Sequence, residues 1–177
     1  MTKTAFNTDK TSAPNAAAHA VIDLGWAEWL ALPQLDIPYM AAKVDTGAKT
    51  SCIHAFAVEP FDKDGTTWLN IGIHPIQNNN EVEIWRQLPA SEQRIVRDSG
   101  GHEESRWVIK TEIAIGGQSW NSDITLTSRD SMQFRMLLGR SAMAGNARVL
   151  PGKKFLLGNP SEAKLNQATQ YWLAEKT

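Results

Sequence analysis

The residues in this sequence whose types and spacing could carry chemistry begin with Asp45, Thr46 and Gly47, which directly follow an apolar run. Asp45 supplies a carboxylate, Thr46 has a short hydroxyl that can hydrogen-bond across a two-fold axis, and Gly47 has no Cβ to hinder a tight turn. Two such carboxylates about 3 Å apart share a proton and titrate in two steps. The pair could activate a water molecule and protonate a leaving group. Taken alone, the tripeptide more often marks a turn after a strand.

A second element lies well downstream of Asp45 and consists of an apolar run that ends in glycine and arginine. Its residues are Leu137, Leu138, Gly139 and Arg140. Residues 140–144 have the composition of a short helix, closed by the glycine that follows them. The two elements together give the Asp-Thr-Gly segment a context that a lone turn lacks.

The elements that must position these residues are predicted to be short β-strands. Runs of apolar residues, many of them β-branched or aromatic, alternate with Pro, Gly, Asn and Asp turn signals, which is typical of an all-β barrel or sandwich. The predicted strands are residues 26–32, 38–44, 50–54, 67–74, 82–86, 94–98, 107–115, 119–127 and 135–138. A C-terminal helix is predicted over 161–174, where Ser161 can cap the first turn.

Composition places the chain among ordinary globular proteins. Its 177 residues are 42% apolar and 21% charged, enough for one domain core. The net charge of −1 argues against a nucleic-acid partner bound through bulk basic charge. The absence of a long apolar stretch argues against a membrane partner, and the single Cys52 excludes an internal disulfide framework. The first residues lack the apolar core of a signal peptide, so we expect a cytoplasmic protein.

We expect the chain to divide into three segments. Residues 1–20 are small and polar and are predicted to form a disordered extension. Residues 21–158 are predicted to form the barrel domain. Residues 159–177 are predicted to form a C-terminal helix that packs on the barrel or on a partner.

Several sequence blocks together resemble the retropepsin-like aspartic peptidases, and most closely a bacterial subset that carries the label ATP-dependent zinc protease. The blocks are residues 25–29, 43–51, 54–56, 96–102, 134–140 and 151–158. The resemblance implies a closed retropepsin-like β-barrel with one short helix after the Leu-Leu-Gly motif and a C-terminal helix. It also implies an aspartic endopeptidase that is active as a homodimer, in which each chain supplies one Asp45.

The resemblance also assigns roles to the residues around Asp45. It makes Leu137, Leu138, Gly139 and Arg140 the structural support of the site. Retroviral enzymes commonly have an acid at the position of Lys49, paired with the arginine, so Arg140 needs another partner here. The residues expected to contact substrate, from the loop or from a flap over the cleft, are Ala48, Arg97, Asp98, Ser99, Gly100, Gly101 and His102. A plain turn explains residues 98–101 equally well.

The label of that subset prompts a search for metal and nucleotide sites. Cys52 and His54 would share one face of a strand, and together with His102 they are the ligands we expect if zinc is bound. A catalytic zinc takes about three protein ligands. The sequence has no His-Glu-x-x-His helix and no Gly-x-x-x-x-Gly-Lys-Ser/Thr loop. We therefore expect neither a metal nor a nucleotide cofactor.

Three functions stay open at this point. The first is hydrolysis of peptide bonds by a water molecule activated between two Asp45 carboxylates. Its substrate could be an acidic peptide, because arginines pair well with carboxylates; those present are Arg94, Arg97, Arg106, Arg129, Arg135, Arg140 and others. The resemblance points the same way, since members often accompany ATP-grasp ligases that add glutamate to a ribosomal protein tail. The second function is a non-catalytic barrel that binds and regulates a partner such as an ATP-grasp glutamate ligase, and the third is zinc-dependent hydrolysis.

Overall fold

The computed structural model describes residues 20–97, 100–128 and 133–175. These residues form twelve strands, two α-helices and one 3-10 turn. The strands are β1 (Ile22–Leu24), β2 (Ala27–Leu32), β3 (Ile37–Asp45), β4 (Ser51–His54), β5 (Ala57–Lys63), β6 (Thr66–Ile73), β7 (Ile84–Pro89), β8 (Glu92–Arg97), β9 (Glu103–Ile115), β10 (Gln118–Thr127), β11 (Met136–Gly139) and β12 (Ala147–Val149). The helices are α1 (Arg140–Met143) and α2 (Glu162–Ala174), and the 3-10 turn spans Pro33–Leu35.

Six of the strands close into a ring, which confirms the predicted all-β, closed architecture. The order around the ring is β10-β4-β11-β3-β2-β9, and β9 pairs with β10 to complete it. Alternate residues of each strand point inward, so Val44 of β3 and Met136 and Leu138 of β11 are buried in the core. Helix α1 directly follows β11, and α2 lies near the C-terminus, as predicted.

The crossing of the chain over β11 builds the candidate site. β11 lies between β3 and β4, parallel to β3 and antiparallel to β4. Residues 46–50 must therefore cross the end of β11 on their way from β3 to β4. Because Gly139 pairs in register with Asp45, the crossing brings the two sequence elements of the prediction side by side.

A separate antiparallel sheet of β5, β6 and β7 fills the interval between β4 and β8. The sequence pattern does not predict β5, because Pro60 has no N–H to donate to a neighbouring strand. β5 is an edge strand of this sheet, a position that tolerates proline. His74 of the loop after β6 stacks on His54 of the ring at a centroid distance of 5.8 Å and on Phe56 at 4.5 Å. These aromatic contacts connect the small sheet to the ring of strands.

β8 and β9 form an antiparallel hairpin at the position predicted for the flap. Arg97 pairs with Glu103. Of the predicted flap residues between them, Asp98 and Ser99 lie outside the described residues. The pairing of β9 with β10 runs from Val108 to Ile115, whereas residues 103–107 pair with β8. The part of the hairpin nearest its turn therefore extends beyond the paired region of β9 and β10.

A buried carboxylate ties the segment before α2 to the ring. Glu28 is 0% exposed, and its carboxylate accepts hydrogen bonds from the backbone N–H groups of Gly25 at 2.7 Å, Leu156 at 2.8 Å and Leu157 at 3.3 Å. A Cβ on Gly25 would lie 2.5 Å from the carbonyl oxygen of Lys153. The sequence blocks 25–29 and 151–158 therefore belong to one structural contact.

Helix α2 packs against the ring. The Oγ of Ser161 accepts a hydrogen bond from the N–H of Lys164 at 3.4 Å, which caps the first turn. Ala168 and Trp172 are buried, and the indole N–H of Trp172 donates to the carbonyl oxygen of Asp36 at 3.0 Å. Within the described ranges, no helix combines the length and the apolar character needed to cross a membrane.

Candidate active site

The carboxylate of Asp45 is held by the turn that follows it. Its Oδ1 accepts hydrogen bonds from the backbone N–H groups of Gly47 at 2.9 Å and Ala48 at 3.2 Å. A Cβ on Gly47 would lie 3.1 Å from the same oxygen, tighter than most contacts of such atoms. The turn thereby fixes the direction of the carboxylate, and glycine leaves room for it.

Gly139 and Ser51 lock the crossing chain against β11. The N–H of Gly139 donates to the Oγ of the buried Ser51 at 3.0 Å. A Cβ on Gly139 would lie 2.6 Å from the carbonyl carbon of Thr50 and 2.8 Å from its oxygen. The glycine of the Leu-Leu-Gly motif is therefore required by the narrow space between β11 and the crossing chain. Of the two leucines, Leu138 is buried in the core and Leu137 is half-buried on the other face.

Arg140 bonds to the backbone of the loop, so it has partners although position 49 is a lysine. Its Nη1 donates to the carbonyl oxygens of Thr46 at 3.0 Å and Gly47 at 2.9 Å. Its backbone N–H donates to the carbonyl oxygen of Ala48 at 2.9 Å. These contacts join the start of α1 to the Asp-Thr-Gly loop.

The loop lies at the surface of the chain. Asp45 is half-buried, while Thr46, Gly47 and Arg140 are exposed. A surface loop of this kind can approach a second copy of itself, whereas a carboxylate in the interior could not.

Arg94 connects the hairpin to the loop, a contact that the sequence pattern does not indicate. Its Nη1 donates to the Oγ1 of Thr50 at 3.0 Å, and its Nη2 donates to the Oδ2 of Asp123 at 3.1 Å. The hydrogen bond to Glu92 raises the pKa of Arg94 against the opposing effect of partial burial, and Asp123 adds to the rise. Arg94 and Thr50 are far apart along the chain, so the signal is absent from any local pattern.

The predicted flap residues that the structure describes are exposed. Gly100, Gly101 and His102 lie in or beside the turn of the hairpin. Gly101 has a φ of 85°, which glycine adopts readily. Arg97 forms an ion pair with Glu103 across the hairpin. A role for this hairpin in covering substrate stays a prediction.

The three residues expected as zinc ligands do not come together. Cys52 and His54 are buried in β4, whereas His102 is exposed beside the hairpin turn. In the part of the chain that the structure describes, no group of three or more His, Cys, Asp or Glu side chains could hold a metal ion. The described side chains therefore do not assemble the ligand set of a catalytic zinc.

Comparison with known proteins finds relatives for most of the chain. A protein of Parasynechococcus marenigrum named "Probable alpha-L-glutamate ligase" is 44% identical over 144 residues, which are 81% of this chain and 31% of that protein. Proteins of the same name from Shewanella pealeana and Desulfotalea psychrophila are each 39% identical, over 87% and 82% of this chain and 34% and 31% of those proteins. The chain thus spans about a third of the length of these relatives.

A solved structure and a protein family complete the comparison. The crystal structure of a Legionella pneumophila protein of unknown function has a TM-score of 0.65 and 23% identity, covering 78% of this chain and 99% of that one. This likeness shows a shared fold. Residues 23–160 match the RimB-like family, described as "Retropepsin-like aspartic endopeptidase RimB", and the match includes both Asp45 and Gly139. The chain therefore belongs to the RimB-like family of retropepsin-like aspartic endopeptidases, as its sequence blocks predict.

Proposed function

We propose that the chain is an aspartic endopeptidase that hydrolyses peptide bonds as a homodimer. The observation that carries this proposal is the placement of Asp45. Two backbone N–H groups fix its carboxylate at the end of β3, on a surface loop that is locked to Gly139 of β11. Membership of a family described as aspartic endopeptidases supports the same activity.

In the proposed reaction, the two Asp45 carboxylates of a dimer share one proton. The ionised carboxylate removes a proton from a water molecule, and the water oxygen attacks the carbonyl carbon of the scissile bond. The protonated carboxyl gives its proton to the carbonyl oxygen of the substrate. The attack and this proton transfer together form a tetrahedral intermediate. As the C–N bond breaks, the proton taken from water passes to the amide nitrogen. One hydroxyl of the intermediate returns its proton to the other carboxylate as the C=O bond re-forms, which restores the shared proton.

A homodimer is proposed because each chain supplies half of such a site. The sequence contains a single Asp-Thr-Gly segment. Thr46 is exposed beside Asp45, so its hydroxyl is available to its counterpart across a two-fold axis. The reaction draws on the side chains and backbone of the two loops, and the proposal includes no metal or nucleotide.

The proposed substrate is an acidic peptide, including protein tails that carry added glutamates. Two arginines contact the loop, Arg140 from the start of α1 and Arg94 from strand β8 of the hairpin. The name of the relatives, "Probable alpha-L-glutamate ligase", supports a substrate that contains glutamate. We place this activity in the cytoplasm, in agreement with the expectation from the sequence.

The test is hydrolysis of a peptide that ends in several glutamates, compared between the wild type and Asp45→Asn. We expect Asp45→Asn to abolish cleavage while the mass in sedimentation and the unfolding temperature stay the same. Asp62→Asn is the matched control, because the Oδ1 of Asp62 accepts a hydrogen bond from the N–H of Gly65 at 3.2 Å in a comparable turn on the small sheet. Cleavage by Asp45→Asn at the wild-type rate would refute the proposal.

A second candidate function is regulation of a glutamate ligase without catalysis. It is favoured by the relatives named "Probable alpha-L-glutamate ligase", in which this chain matches about a third of the length. A separate ligase chain would then be the partner. Under this function, Asp45→Asn binds the ligase and changes its rate of glutamate addition as strongly as the wild type does.

A further inference from the structure

Arg135 differs from the other buried or half-buried arginines because its guanidinium lacks an acidic partner. The residue is 4% exposed. Arg86, Arg94 and Arg106 each form an ion pair with at least one carboxylate. Among the described residues, no carboxylate forms such a pair with Arg135.

Within the described part of the chain, two of the three guanidinium nitrogens of Arg135 also lack hydrogen-bond partners. Nε and Nη1 are buried without an acceptor, whereas Nη2 donates to the Oδ1 of Asn80. A buried N–H group without an acceptor is disfavoured, and a buried charge without a counter-charge is disfavoured more strongly. A ligand oxygen that carries negative charge would correct both deficiencies.

Arg135 lies on the same face of the ring as Asp45. Arg135 directly precedes β11, and its carbonyl oxygen accepts a hydrogen bond from the N–H of His54 at 2.8 Å, which continues the pairing of β11 with β4 by one residue. Side chains alternate between the two faces of an extended chain, so Arg135, Leu137 and Gly139 share one face, whereas Met136 and Leu138 face the core. Gly139 is in register with Asp45. Four residues of extended chain span about 13 Å. Arg135 therefore lies about 13 Å along the strand direction from Gly139 and from its neighbour Asp45.

We propose that Arg135 binds a carboxylate of an acidic peptide that lies along this face with its scissile bond at Asp45. The inference rests on the proposed function and adds the residue that recognises the acid. An extended peptide rises at about the same rate as the strand, so the carboxylate belongs to a residue about four positions from the scissile bond. Binding replaces the missing acceptor with a charge-assisted hydrogen bond.

The loop of residues 77–80 controls access to this site. The backbone N–H of Arg135 donates to the Oε1 of Gln77 at 3.1 Å, and its Nη2 bonds to Asn80. Asn80 touches the guanidinium itself, and Gln77 touches the backbone of the same residue, so this end of the loop lies against the guanidinium in the absence of peptide. We expect the loop to move aside when the carboxylate binds.

The test measures binding to Asp45→Asn, which leaves the peptide intact. The probes are a synthetic peptide ending in four glutamates and the same peptide ending in four glutamines. We expect the glutamate peptide to bind about 10- to 100-fold more tightly, the difference that a hydrogen bond to a charged group makes. We also expect it to shift the NMR signal of the Arg135 Nε–H, assigned by its loss in Arg135→Lys.

Variants at two arginines provide the control. Arg135→Met in the Asp45→Asn background is expected to bind both peptides equally, whereas Arg148→Met on β12, where the side chain is 71% exposed, keeps the preference. If Arg135→Met does not fold, the Nε–H signal in the parent variant still decides.

An Nε–H signal that the glutamate peptide leaves unmoved, or equal affinity for the two peptides, would overturn the inference. A shift caused by acetate but not by the peptide would refute its place in the substrate cleft. Failure of the proposed function would be seen in a separate experiment, the cleavage assay, in which Asp45→Asn would still hydrolyse the peptide.

Discussion

Substitution of Gly139 by alanine tests how closely the site depends on the crossing chain. The φ of Gly139 is −87°, a value that any residue adopts, so the glycine is required for space and not for its backbone conformation. Its neighbours are backbone atoms of Thr50 and Ser51, which cannot rotate away as the end of a flexible side chain can. Gly139→Ala therefore forces the backbone itself to shift.

The size of the shift follows from the contact distances. The new Cβ would lie 2.6 Å from the carbonyl carbon of Thr50, and ordinary contact begins at 3.4 Å, so the chain must recede by about 0.8 Å. Overpacking of this kind costs about 1–3 kcal/mol, and each kcal/mol lowers the unfolding temperature of a chain this long by about 2–4 °C. A displacement near 1 Å at a catalytic group lowers turnover about 10²-fold.

The assay pairs thermal unfolding with cleavage of the glutamate peptide. Gly152→Ala is the control, because a Cβ on Gly152 meets no atom within 4 Å, and we expect it to change stability by less than about 0.5 kcal/mol. Gly139→Ala with the unfolding temperature and turnover of the wild type would refute the reasoning. Loss of turnover without loss of stability would show that the loop yields easily and that its position is critical for catalysis alone.

Two further predictions concern groups outside the site. Glu28→Ala leaves three backbone N–H groups without their acceptor, so we expect unfolding by denaturant to show a loss of about 2–4 kcal/mol, against little change for the exposed Glu59→Ala. Burial opposes ionisation of Glu175, but hydrogen bonds with Arg86 and Tyr171 outweigh it and lower the pKa of this carboxyl. The contribution of Glu175 to stability is therefore fully present above the pKa that this carboxyl has in the unfolded chain. It is lost as the pH falls through the lower pKa of the folded state. The protection factors of amides at the end of α2, taken relative to their intrinsic exchange rates, should fall in acid, and Glu175→Gln should remove that dependence.

The parts of the fold that could be predicted from the sequence are those specified by neighbouring residues. The turn at Asp45 needs only the two amides that follow it, and the cap at Ser161 needs only the first turn of α2. Each of these features lies within a few residues of chain, where residue type and spacing are informative.

The parts that could not be predicted depend on residues far apart in the chain. Glu28 meets its donors in the segment around Leu156, and Arg94 meets Thr50. Neither contact leaves a periodic signal, because each partner is an ordinary polar residue in its own segment. β5 is not predictable for a different reason. A proline such as Pro60 is tolerated only in an edge strand, and the tertiary fold decides which strands lie at an edge.

The hydrogen bonds of the Asp-Thr-Gly loop indicate how much of the proposed dimeric site is already formed within one chain. The carbonyl oxygens of residues 46–49 all accept hydrogen bonds from Arg140 or Ser141 at the start of α1. The N–H groups of residues 47 and 48 are directed at the Asp45 carboxylate. Because these backbone groups are engaged within one chain, the orientation of Asp45 does not depend on a second copy. Under the proposed function, assembly has only to bring two prepared loops together, so weakening the dimer should lower the fraction of active enzyme and leave the turnover of each assembled site unchanged.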